Sequence, residues 1–273
     1  MKRSVGKGIV LVSMAVTASL ASAAWAAPPA PATDRLTFMA SGVDWDRASD
    51  GGGGSIGWIH SFNANALVGL AGEYQRLGSD THWSFGTLTL GYGHGQAERR
   101  SNYYLEVRGG GGDDATGSFT YSMVTAGLFQ NLTHQLALQI EDKQIDINTS
   151  HGNLPKVGLQ FLWSPRLLTI VSYAHSTNPT GLGTRLWTVR ADYYGKQLNL
   201  IAGGATGQAT PVVFNFQGLP IPGLQSREGY IGVTKPFSRM DLTLMADYLK
   251  LGDFKRKQLS LNGTVFLNGG PVR

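Results

Sequence analysis

From residue 34 onward the chain alternates apolar and polar residues with a period of two. Leu88, Leu90 and Tyr92 alternate with Thr87, Thr89 and Gly91. Leu136, Leu138 and Ile140 alternate with Ala137, Gln139 and Glu141, and Trp187, Val189 and Ala191 with Thr188, Arg190 and Asp192. Successive side chains of a strand point to opposite faces, so each segment has one apolar and one polar face. No stretch after residue 33 carries the 3.6-residue period of an amphipathic helix. The pattern predicts strands near 35–45, 55–62, 67–77, 82–95, 101–110, 117–130, 135–147, 156–163, 167–176, 184–194, 197–209, 228–236, 241–251 and 257–267.

A soluble sandwich or small barrel would turn the apolar faces inward, whereas a membrane barrel turns them to lipid. The segments are about 9–11 residues long, which suits tilted strands crossing a hydrocarbon layer. Short turns are expected at 63–65, 97–99, 131–133, 164–166, 195–196 and 237–239. Mostly longer connections are expected at 46–54, 78–81, 111–116, 148–155, 177–183, 210–227 and 252–256. Short periplasmic turns alternating with longer outer loops mark bacterial outer-membrane barrels. The predicted fold is all-β, an antiparallel transmembrane β-barrel of about 14 strands, with 12 and 16 as neighbouring counts.

The N-terminus refines this reading. Lys2, Arg3 and Lys7 precede an apolar run over 9–20, followed by Ala21-Ser22-Ala23 and Ala24-Trp25-Ala26. This is the layout of a cleaved secretory signal peptide. The expected division is a signal peptide over 1–26, a flexible leader over 27–33 and the barrel over 34–273. Losing Lys2, Arg3 and Lys7 takes 23 basic residues to 20 against 18 acidic, a net charge of +2. That near balance, without basic runs, argues against a nucleic-acid partner. The absence of cysteine fits an exported chain that does not rely on disulfides. The expected partners are outer-membrane lipid, lipopolysaccharide and the barrel-assembly machinery; the sequence leaves the oligomeric state open.

Catalytic motifs are weak. Gly53-Gly54-Ser55-Ile56-Gly57 matches the form of a nucleophile elbow, but no helix pattern follows it. His94, Ser172 and His175 could be drawn into a lipid-acting site, yet their spacing does not support one. Asp44, Asp46 and Asp50 have oxygen ligands for a hard cation, but no complete binding loop surrounds them. No metal, cofactor or catalytic set is therefore assigned. The charges on the polar faces say more. With apolar faces on lipid, Glu73, Glu106, Arg108, Glu141, Lys143, Arg190, Asp192 and Asp247 point into the lumen. There they either tune the selectivity of a pore or cross-link a closed polar core. The connection 210–227 is unusually apolar, and Phe214, Phe216, Leu219 and Ile221 are expected to gate the mouth or meet a partner.

The signal peptide, the strand Leu88-Thr89-Leu90-Gly91-Tyr92-Gly93 and the hairpin segment from Leu186 to Lys196 together resemble the YaiO-like outer-membrane proteins. The resemblance implies an outer-membrane location and a role in transport or envelope function, without a catalytic set. The chain departs from many barrels at its end, where Phe266 is the last aromatic and Gly269-Gly270-Pro271-Val272-Arg273 follows. The leading expectation is a porin-like pore or export conduit for small polar solutes or a surface glycan. The alternatives are a non-conducting barrel whose loops carry the function and, more weakly, a lipid-acting enzyme.

Overall fold

The computed structural model describes residues 33–267 apart from 47–49, 64, 80, 96–98, 115–116, 149, 178–182 and 210–223. Its strands are β1 (Thr33–Trp45), β2 (Gly51–Ser61), β3 (Ala66–Leu77), β4 (Thr81–His94), β5 (Ser101–Asp114), β6 (Gly117–Asn131) and β7 (Leu136–Ile147). They continue as β8 (Ser150–Asn153), β9 (Lys156–Ser164), β10 (Leu167–Thr177), β11 (Gly183–Tyr194), β12 (Asn199–Ala209), β13 (Leu224–Pro236), β14 (Met240–Leu251) and β15 (Phe254–Phe266). Each is antiparallel to its neighbours, and β1 pairs with β15 to close the ring. Closure leaves no sheet edge in lipid, where an unpaired backbone group would cost several kcal/mol.

Fifteen segments make fourteen staves. The pairing of β7 with β8 joins Gln144 to Asn153, and that of β7 with β9 joins Glu141 to Lys156 in the same register. Lys143 and Leu154 exchange backbone hydrogen bonds between those two positions. β8 and β9 are thus one strand interrupted at Pro155, which has no N–H to give the ladder.

The outward faces carry the apolar residues. Leu70, Leu88, Leu105, Val107, Ile140, Leu159, Val189, Ile231, Leu244 and Leu259 are all exposed. Exposed aromatics border this band toward both rims. Tyr92, Tyr103, Trp163 and Tyr193 lie near the end that carries the chain termini, and Tyr74, Trp187 and Tyr248 near the other. Such aromatic girdles flank the lipid-facing band of transmembrane barrels. At the termini end Trp58 Nε1 donates to Asp34 Oδ1 at 3.0 Å, and the Trp58 and His60 rings stack at 5.8 Å.

Most strand boundaries match the alternation, but the loop-length contrast does not hold. The connections at 78–80, 115–116, 148–149 and 252–253 are as short as the turns at the opposite end. Glycine misleads here. Gly51–Gly54 and Gly111–Gly112 read as parts of connections, yet they extend β2 and β5. Glycines of β5 stand opposite bulky side chains in the register, with Phe85 across from Gly110 and Trp83 across from Gly112. A Cβ on Gly110 would come within 2.8 Å of the Phe85 ring, and one on Gly112 within 2.7 Å of Trp83 Cβ. Aromatic residues laid over cross-strand glycines keep a sheet paired where glycine alone would weaken it. The segment 148–155, expected as a loop, is a two-residue turn followed by β8. Asn148 there takes the positive φ (52°) that asparagine tolerates.

Tyr104 and Gly127 form the tightest such pair, directly opposite in the register. A Cβ on Gly127 would fall on ring carbons of Tyr104. Gly127→Ala should lower stability by about 1–3 kcal/mol through overpacking. In a Tyr104→Ala background the same change should cost much less. Urea unfolding of the refolded barrel measures both, and equal penalties in the two backgrounds would refute the ring contact as the cause.

Candidate functional site

The polar faces of the strands turn inward and build the lumenal wall. Glu106, Arg108, Glu141, Lys143 and Asp192 are all buried there. Glu73 and Asp247 are nearly so, at 10% and 12% side-chain exposure, and Arg190 at 14%. The charges gather in three groups. The first spans β3 to β9. The Arg108 guanidinium pairs with Glu73 and lies 4.6 Å from the centre of the Phe85 ring. Glu141 takes Lys156 at 3.0 Å and Lys143 at 3.5 Å and accepts a hydrogen bond from the Tyr104 hydroxyl. In the second, on β11, Arg190 Nε donates to Asp192 Oδ1 at 2.8 Å. In the third, Arg256 pairs with Asp247 and lies 3.6 Å from Glu228.

Sequence reasoning missed Lys156, Glu228 and Arg256. Lys156 opens a strand behind Pro155, and Arg256 lies in 252–256, read as a connection. Glu228 and Arg256 are brought together because both stand across from Leu249, from β13 and β15, one inward position along β14 from Asp247.

All these ion pairs join residues of one strand or of strands at most two apart. They brace the wall along its circumference. Fourteen strands fall between the roughly eight whose interior side chains can fill and the 16–18 that leave an aqueous channel. Interior contents therefore decide whether such a barrel is blocked. Small residues widen the wall on several staves: Gly53, Ser55 and Gly57 on β2 share a face with Gly69 and Ala71 on β3, and Gly203 and Ala205 on β12 face the same way as Arg190.

Another inward feature was not anticipated. Trp83, Phe85, Phe119, Tyr121 and Met123 form a buried apolar cluster on β4 and β6, with Leu77 and Ile145 against it. It lies toward the rim opposite the termini and borders Arg108 through Phe85. The Phe85 and Tyr121 rings are 5.1 Å apart. The sequence signal existed: Trp83 and Phe85 share the parity of Thr87 and Thr89. Several buried polar atoms of this wall, among them Trp83 Nε1, Glu106 Oε1 and Thr125 Oγ1, have no hydrogen-bond partner among the described residues. Such groups call for partners beyond the described side chains.

The residues weighed for catalysis are not assembled. Gly53 to Gly57 lies within β2, not at a strand-to-helix turn. Ser172 faces inward and its hydroxyl pairs with that of Thr188 at 2.5 Å, while His175 stacks on Tyr173 and His94 ends β4. Asp46 Oδ1 accepts from the Lys255 amide at 2.9 Å and Asp50 Oδ1 from the Trp45 amide at 3.3 Å, so these carboxylates fasten the rim of the barrel. Phe214, Phe216, Leu219 and Ile221 lie outside the described residues.

No family model matches the chain, and no curated protein matches it. The likeness to YaiO-like proteins thus stays one of pattern. Solved structures do match by fold. The CymD monoaromatic hydrocarbon channel superposes with a TM-score of 0.58 at 11% identity, over 86% of this chain and 89% of that one. A Pseudomonas aeruginosa FadL homologue gives 0.55 at 10% identity, over 90% and 92%. The Acinetobacter baumannii outer membrane protein Omp33 gives 0.52 at 10% identity, over 85% and 98%. The fold is that of the outer-membrane β-barrels.

Proposed function

We propose that this protein is an outer-membrane channel for small solutes, polar ones in the first place. The observation that carries the reading is the set of interior ion pairs, each joining residues of one stave or of staves at most two apart, so that they brace the wall along its circumference. Charged rings and walls of this kind set ion selectivity. Channels among the structures of similar fold support the same reading. Apolar strand faces that only lipid can cover, on a closed ring, support the location.

Single-channel recording of the mature protein in planar bilayers tests it. Unitary openings are expected. Glu106→Gln should lower cation preference and Arg190→Gln should raise it, since they remove opposite charges from one lumen. A barrel that inserts but never conducts would turn the function over to its rim and loops.

The inward aromatic cluster favours a second reading, passage of small aromatic solutes. The similar fold of the monoaromatic hydrocarbon channel agrees with it. Vesicles carrying the barrel should then take up an aromatic alcohol faster than a sugar of equal size. Phe85→Ala should reduce that difference; equal uptake would leave polar solutes as the cargo.

A further inference from the structure

The outward face carries a charge arrangement that the channel reading does not use. At the rim opposite the termini, Arg227 on β13 stands directly across from Lys250 on β14, and Lys250 across from Lys255 on β15. Lys257 lies one rung closer to the membrane band, across from the exposed Tyr248. All four cations are exposed on the lipid-facing side, and none makes an ion pair among the described residues. The cross-strand row continues on one side through Thr206 to the exposed Trp187. On the other it meets β1, where the Asp46 carboxylate is engaged by the Lys255 amide. Asp44 stands across from Lys257, and Asp46 and Asp253 lie at the same rim, so the four cations outnumber the three carboxylates by one.

Like charges placed directly opposite on neighbouring strands, about 5 Å apart, destabilise a sheet. Three in one row call for an external anion. The position says which kind. Along the same staves, toward the termini, come Ile231, Leu244, Leu259 and Leu261, all exposed apolar side chains. An anion over Arg227, Lys250 and Lys255 therefore sits one or two rungs above a hydrocarbon-facing wall. Trp187 and Tyr248 mark the boundary between them. The rim elsewhere differs: on β5 and β7 the outward Asp113 and Asp146 are about half exposed. Arg76 on β3 and Arg185 on β11 are also exposed at this rim, but among the described residues only on β13 to β15 do three cations stand in one cross-strand row.

We infer that Arg227, Lys250, Lys255 and Lys257 form a docking site for the phosphorylated headgroup of an outer-leaflet glycolipid, the lipid A portion of lipopolysaccharide, whose acyl chains lie against Ile231, Leu244 and Leu259. The cations bind the phosphates and the apolar wall below takes the chains. Neither half alone gives the site its selectivity. The inference rests on the outer-membrane reading but not on conduction.

The test uses the mature barrel refolded in detergent and titrated with diphosphoryl lipid A, followed by native mass spectrometry. The variant Arg227→Gln/Lys250→Gln/Lys255→Gln/Lys257→Gln should lose affinity by about tenfold or more. Wild type should lose as much toward dephosphorylated lipid A. The control Asp113→Asn/Asp146→Asn should bind as wild type does. Raised salt should weaken binding, since exposed charges are screened. Inorganic phosphate at equal concentration should not displace the lipid, because it lacks the chains. Unchanged lipid A affinity in the fourfold variant, or full displacement by inorganic phosphate, would overturn the inference. Should the fourfold variant not refold, Lys250→Gln/Lys255→Gln carries the same test, with Lys250→Arg/Lys255→Arg expected to bind normally. Channel recordings on these variants keep the two readings apart: conduction is expected to persist where lipid A binding is lost.

Discussion

Leu88→Arg should destabilise the barrel by about 2–4 kcal/mol, whereas Thr89→Arg, one residue along, should cost far less. Leu88 lies on the outer face, across from Leu70 and Val107. It sits midway along β4 between the rung of Tyr74 and that of Tyr92, which places it near the middle of the apolar band. A guanidinium there has only lipid to meet. Thr89 points inward, across from Gly69 and Glu106. The new arginine would have space on the glycine side and a carboxylate on the other. Urea titration of the barrel folded in liposomes reads both. Equal costs, or a larger cost at Thr89, would mean the barrel is inside out.

Arg108→Met should cost about 3–5 kcal/mol, toward the lower figure where lumenal water reaches the site. The change leaves Glu73 with 10% side-chain exposure and no cation, and it removes the guanidinium from the Phe85 ring. Adding Glu73→Gln should recover most of the loss, because an unpaired buried charge is costlier than a pair of neutral groups. The two unfolding midpoints decide it. If the double variant is as unstable as the single one, packing of the Arg108 side chain on Phe85, not charge, is what Arg108 supplies. Conductance measured on the same proteins then tells whether the pair also shapes the pore.

Much of this barrel can be read from the chain without coordinates. A period of two assigns every side chain on a strand to one of two faces, so Leu88 and Glu106 declare their sides by parity alone. Lipid on one side and water on the other then fixes which face turns out, and each stave pairs with its neighbour in sequence, as short connections require. Pairing of strands near in sequence is why fourteen staves could be counted in advance.

What parity cannot supply is register, and the informative features of this molecule depend on register. Arg227, Lys250 and Lys255 lie on three successive strands and become one row only when β13, β14 and β15 are aligned. Arg108 reaches Glu73 across an intervening strand, and Arg256 joins Asp247 and Glu228 on two others. Trp83, Phe85, Phe119, Tyr121 and Met123 meet because β4 and β6 stand on either side of a β5 whose Gly110 and Gly112 give the rings room. Gly112 suggests a loop when read alone, since glycine's freedom fits a turn and a close cross-strand contact equally well. The alternation along the chain, with lipid as its solvent, determined the barrel and the facing of its strands. Contacts between staves decided which charges pair, which rings cluster and where the exterior is basic, because these contacts depend on the stagger of neighbouring strands.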